Sequence, residues 1–156
     1  MSIKNAKSFL KDIKKVVNWA RAKGYDVEFS FAHNDEIDTF EKEIRISSRF
    51  SIENQLYGLL HECGHLLLRS NEKRYEKTYL MTNEMDNRKT LHRGLFKSKQ
   101  CQVDIIAEEI DAWRQGKRLA KRLKIIINDK SYNKEMAKYV FSYVRSAYKK
   151  VQRKKF

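Results

Sequence analysis

The chain of 156 residues carries 34 Lys and Arg against 20 Asp and Glu, a net charge of +14, with two cysteines and no proline. That length can bury a core without disulfide staples, and two cysteines outside any CxxC pair suit a reducing compartment rather than a disulfide framework. No apolar run has the length of a membrane span and lysines interrupt the first 23 residues, so a cytoplasmic protein is expected, neither membrane-bound nor led by a signal peptide.

In chain order, residues 3–23 space Phe9, Ile13, Val16, Val17 and Ala20 as one face of a helix, and Gly24 ends it. Tyr25 to Phe31 alternates in polarity. Thr39 to Ile46 places Phe40, Ile44 and Ile46 on one parity. Both read as strands, joined by the polar loop His33-Asn34-Asp35. Ser51 is placed to cap a helix reaching about Arg69, with Glu53 in its first turn, where the helix dipole favours an anion. Residues 70–100 are charged and irregular, with at most a short helical turn. Helices follow over about 103–123 and 131–151. The order α-β-β-α-loop-α-α predicts a small α+β protein, one domain over residues 1–156, with the basic helical region 114–156 packed on it.

The charge is unevenly placed. From Arg114 onward 15 Lys and Arg stand against Asp129 and Glu135, while the preceding residues are nearly balanced. In the last helix Met136, Val140, Tyr143, Ala147 and Val151 form an apolar stripe that reads as packing surface. Lys134, Lys138, Arg145 and Lys149 fall on the opposite side, and Arg153, Lys154 and Lys155 extend the row. Such a row suits nucleic acid or another acidic partner, held through phosphates or carboxylates without base reading. A basic surface that only keeps the protein dissolved is the plain alternative.

The chemistry-bearing motif is His61-Glu62-Cys63-Gly64-His65, an HExxH. Residues four apart on a helix stand one above the other, so both imidazoles can enter one tetrahedral Zn2+ site with Glu62 beside the open position. The helix around them is two-sided. Ile52, Leu56, Leu59, Cys63 and Leu66 form its apolar back, while the histidines project between Gly58 and Gly64.

A hydrolytic zinc site needs a third protein ligand. The extended HExxHxxGxxH pattern is absent, because Leu68 and Asn71 stand where its Gly and His would be. Glu108, Glu109 and His92 remain. Helical periodicity places Glu109 at the edge of an inward face with Val103, Ile106, Ile110 and Trp113, close to Ala112 and Gly116. Glu108 points outward with Asp104 and Asp111. An inward glutamate needs a partner, which makes Glu109 the expected ligand. His92 is the alternative, or a donor to the transition state.

With these residues in place, the chain resembles the gluzincins, zinc peptidases with HExxH and a downstream glutamate helix, over about residues 37–123. It looks most like the small ImmA/IrrE-type peptidases of phage and mobile elements, where HExGH is followed by Glu-x-x-Ala, here Glu109-Ile110-Asp111-Ala112. The resemblance implies a minimal zincin-like fold. In it a small antiparallel or mixed sheet packs on the active-site and glutamate helices, and Lys42 to Ile46 would be an edge strand that pairs with substrate. It also implies a zinc metallopeptidase whose substrate is a cytoplasmic protein, with a DNA-associated regulator as one such target. Where some gluzincins carry an Asp four residues after the ligand glutamate, Trp113 stands, so another acceptor, such as a backbone carbonyl, must fix a histidine tautomer.

In the mechanism so implied, Glu62 is the general base, and the oxyanion needs a further donor from among Tyr57, Tyr75, Tyr79 and His92. Two rival readings keep the scaffold and drop the catalysis. One is a nucleic-acid-binding protein with structural zinc; the other is an interaction protein on an inactive zincin body.

Overall fold

The computed structural model describes residues 4–86 and 93–152. Helix α1 (Ala6–Ala22) starts at Asn5, whose side chain accepts the Ser8 N–H, and ends where Gly24 turns the chain at φ 86°. That left-handed conformation is open to glycine at little cost and satisfies the last carbonyls of the helix. Strand β1 (Asp26–Ser30) follows.

The next segment departs from the sequence reading. A short strand β2 (Glu36–Asp38) follows the polar loop, and the strand expected over 39–46 begins only at Glu43, as β3 (Glu43–Ser47). Residues 39–42 are a turn. The Asp38 carboxylate accepts the N–H groups of Phe40 and Glu41, Lys42 takes φ 54°, and Phe40 is left 90 % exposed. Phe40 therefore belongs to no strand face. The sheet order is β1-β3-β2, with β1 parallel and β2 antiparallel to β3. Lys42 to Ile46 is thus central rather than an edge, and the two free edges belong to β1, with Asp26 and Glu28 exposed, and to β2.

Helix α2 (Ile52–Arg69) has Ser51 as its cap, accepting the Asn54 N–H, with Glu53 in the first turn. Its back, Leu56, Leu59, Leu60, Cys63 and Leu66, is buried against Ile44 and Ile46 of β3 and Val16 and Ala20 of α1. Residues expected to be irregular form short helices: α3 (Glu72–Thr78), capped by Asn71, then α4 (Leu80–Asp86) and α5 (Arg93–Phe96). Two of them have seven residues and one has four, too few for a 3.6-residue period to emerge from charged sequence.

Helix α6 (Lys99–Arg122) starts at Ser98, earlier than periodicity suggests, because the Ser98 side chain accepts the Cys101 N–H. Helix α7 (Asp129–Gln152) closes the fold. The architecture is α+β: a small mixed sheet and α1 on one side of α2, with α6 and α7 on the other.

Helices α2 and α6 approach until their backbones touch. A Cβ added at Gly64 would lie 1.9 Å from the Ala112 carbonyl oxygen, and one at Gly116 would lie 2.5 Å from that of Leu60. No side chain larger than hydrogen fits at either crossing point, and this closeness brings ligands from the two helices together.

Candidate functional site

The crossing of α2 and α6 puts His61, His65 and Glu109 at the floor of a cleft of about 1070 Å³. The Nε2 atoms of the two histidines are 3.1 Å apart. One Glu109 oxygen lies 3.0 Å from His61 Nε2 and the other 3.3 Å from His65 Nε2. All three side chains are buried, and their ligand atoms lie within 4.8 Å of one another. Two imidazoles and a carboxylate converging on one point could hold a metal ion.

The electrostatics point the same way. Burial works against charge on either imidazole, but Glu62 and Glu109 outweigh it at His61 and raise that pKa, while Glu108 and Glu109 push His65 up to about 10. Burial alone would raise Glu109, yet its hydrogen bonds to both histidines hold it well below the usual carboxylate range. The side chains thus favour positive charge where they converge, as a cation site must.

Glu108 corrects the sequence reading. It is buried, not outward: its carboxylate meets His65 Nδ1 at 3.1 Å, Arg69 at 3.1 Å and the Tyr75 hydroxyl at 2.8 Å. The inward face of α6 is rotated toward Glu108, Glu109, Ala112 and Gly116, and Val103 is 63 % exposed. The cause is non-local, since Arg69 of α2 and Tyr75 of α3 make a polar pocket that periodicity counts as solvent. Glu108 is therefore the acceptor that fixes the His65 tautomer and turns its Nε2 inward, in place of a backbone carbonyl. Trp113 acts on the other histidine. Its ring stacks on His61 at 4.5 Å and 11°, and its carbonyl accepts the Tyr132 hydroxyl at 2.7 Å.

Glu62 is buried on the same floor, 3.4 Å from His61 Nδ1, and lines the cleft. The expected oxyanion donors fare differently. Tyr57 donates to Glu53 at 2.6 Å behind the site, and Tyr79 donates to Asp111 at 2.7 Å on the far flank of α6. Tyr75 is committed to Glu108. None of the three lines the cleft, and His92 lies outside the described residues.

The tyrosines that do line the cleft, Tyr139 and Tyr143, come from α7. Tyr143 was assigned to the packing stripe, yet its phenol sits where burial and the carboxylates of Glu109 and Glu62 raise its pKa. An apolar stripe does not distinguish a core wall from a cleft wall. The only hint in the sequence is the i, i+4 spacing of the two tyrosines, which places both on one side of the helix.

The expected basic row is present in part. Lys134, Lys138, Arg145 and Lys149 are all exposed, but Lys138 stands at the mouth of the cleft, over the rings of Phe50 and Tyr139. Arg153, Lys154 and Lys155 lie outside the described residues. No described helix is long and apolar enough to cross a membrane. No protein-family model, curated protein or solved structure matches this chain.

Proposed function

We propose that this chain is a zinc-dependent peptidase of minimal zincin type acting on a cytoplasmic protein, with His61, His65 and Glu109 as ligands and Glu62 as general base. The observation that carries the reading is the convergence of three buried ligand atoms beside Glu62 on the floor of an open cleft. A purely structural metal site has no use for an unligated carboxylate facing an open position. The ion, when bound, lowers the pKa of water and polarises the scissile carbonyl. Glu62 takes the water's proton at its carboxylate and returns it to the departing amine. The Tyr143 hydroxyl, presented by α7, donates to the oxygen that becomes negative in the tetrahedral state. Glu36, Ile37 and Asp38 of the outer strand β2 line the same cleft, so β2 rather than Lys42 to Ile46 is the strand for an extended peptide to pair with.

Metal content tests the ligand set. The purified chain is expected to hold close to one zinc, and His61→Ala and Glu109→Ala each to lose it, read by elemental analysis beside circular dichroism. Zinc retained in Glu109→Ala moves the third ligand to Glu108 or His92. A wild-type chain that takes up no zinc after reconstitution defeats the reading. Tyr143→Phe is expected to keep zinc and KM while kcat falls roughly 10²-fold, the usual size for one oxyanion donor. An unchanged kcat would make Tyr143 a wall residue only.

A second reading, binding of nucleic acid, draws on the exposed row of Lys134, Lys138, Arg145 and Lys149. It is compatible with peptidase action on a DNA-associated regulator.

A further inference from the structure

The carboxylates that line the cleft are nearly all engaged. Glu109 and Glu108 hold the histidines, Arg69 and Tyr75; Glu36 pairs with Arg45; Asp38 caps the turn after β2. Asp35 differs. Its Oδ1 accepts the Ser47 N–H at 2.8 Å, and among the described residues it forms no ion pair. Its other oxygen rests on the backbone of α2, where a Cβ added at Gly58 would meet it at 2.2 Å. Gly58 precedes Glu62 by about one helical turn, so this carboxylate rests on α2 one turn before the general base.

Asp35 is half-buried, and its partial desolvation raises its pKa, helped by Glu62 and Glu135 and opposed by the Ser47 N–H and by His61. Asp35 thus presents to the cleft a carboxylate with no paired cation among the described residues, and the rings that line the same cleft suit a cation. Phe50 and Tyr139 line the same cleft, and the Lys138 ammonium already sits 5.4 Å and 5.6 Å from their centroids. Lys138 itself is turned toward Glu135 at 3.7 Å.

The geometry points to Asp35, with Phe50 and Tyr139, as the specificity determinant: it receives a positively charged group of the substrate, so hydrolysis falls next to a cationic residue. The inference rests on the peptidase reading for the word hydrolysis, but the recognition of the cation does not depend on the metal. Two sources carry this chemistry, a Lys or Arg side chain and a free N-terminal ammonium.

Three short peptides separate the cases by NMR titration of the ¹⁵N-labelled protein. They are acetyl-Ala-Lys-Ala-amide, acetyl-Ala-norleucine-Ala-amide and unblocked Ala-Ala-Ala-amide. The reporters are the amides of Ser47, bonded to Asp35, and Gly58, beneath it. Saturable shifts are expected with a cationic peptide and about tenfold weaker binding with norleucine, as suits one charge-assisted contact. The Lys peptide responding means cleavage within chains beside a basic residue; the unblocked peptide responding means trimming from the amino end. Asp35→Asn keeps the acceptor for Ser47, so it should fold normally and lose the discrimination. Equal response to norleucine, or an unchanged preference in Asp35→Asn, overturns the inference. Zinc and hydrolysis measured on the same samples keep the two claims apart. Cation preference without zinc would sink only the peptidase reading, and zinc-dependent hydrolysis indifferent to charge would sink only this one.

Discussion

Glu62→Gln is expected to bind zinc as the wild type does and to lose peptide hydrolysis by about 10³-fold or more. Glutamine has nearly the same shape, so the α2 floor and the ligand convergence should persist. It cannot take a proton from water at neutral pH, and general-base removal combined with loss of proton return to the amine accounts for an effect of that size. The measurement pairs zinc content with turnover of a peptide that the wild type cleaves. The variant should also hold that peptide long enough to be captured with it. Hydrolysis within a factor of ten of wild type would show that another group is the base. Loss of zinc in Glu62→Gln would instead make Glu62 a ligand.

The second large effect concerns the fold. Gly64→Ala is expected to destabilise the protein by about 3 kcal/mol or more, or to prevent folding. The added methyl would lie 1.9 Å from the Ala112 carbonyl oxygen and 2.7 Å from its carbon. Both are backbone atoms, so no side chain can swing aside, and α2 and α6 must separate. At this chain length about 3 kcal/mol corresponds to a Tm loss of roughly 6–12 °C. Zinc uptake should fall with it, since separating the helices pulls Glu109 away from His61 and His65. Gly24→Ala is the control. It has open space around its Cβ position but sits at φ +86°, so it should cost only about 1 kcal/mol of backbone strain. A melt in which Gly64→Ala is no worse than Gly24→Ala would refute the close approach.

What the sequence made legible follows how local each cause is. The HExxH spacing encodes its own geometry, because one helix carries both histidines; Ser51 and the apolar back of α2 needed nothing beyond the chain around them. Glu109 was reachable because helical period and small neighbours act over one or two turns. Glu108 was not, since the groups that bury it, Arg69 and Tyr75, lie 39 and 33 residues away in the chain. Strand β2 has three residues, two of them acidic, too short to show alternation, and the edge role of Lys42 to Ile46 rests on the family resemblance alone. Tyr143 was misjudged because a helical stripe reports which side of α7 is covered and not whether packing or a cavity covers it.

The order β1-β3-β2 also bears on self-association. Among the described residues both outer strands lack a partner on their outer side, but the two edges are not alike. Along β1 the exposed residues are Asp26 and Glu28, so an antiparallel copy pairing there would set carboxylate against carboxylate, which penalises the contact. Strand β2, at the other margin, lines the cleft together with residues of α7. The sheet thus discourages growth into aggregates at one margin and faces the cleft at the other.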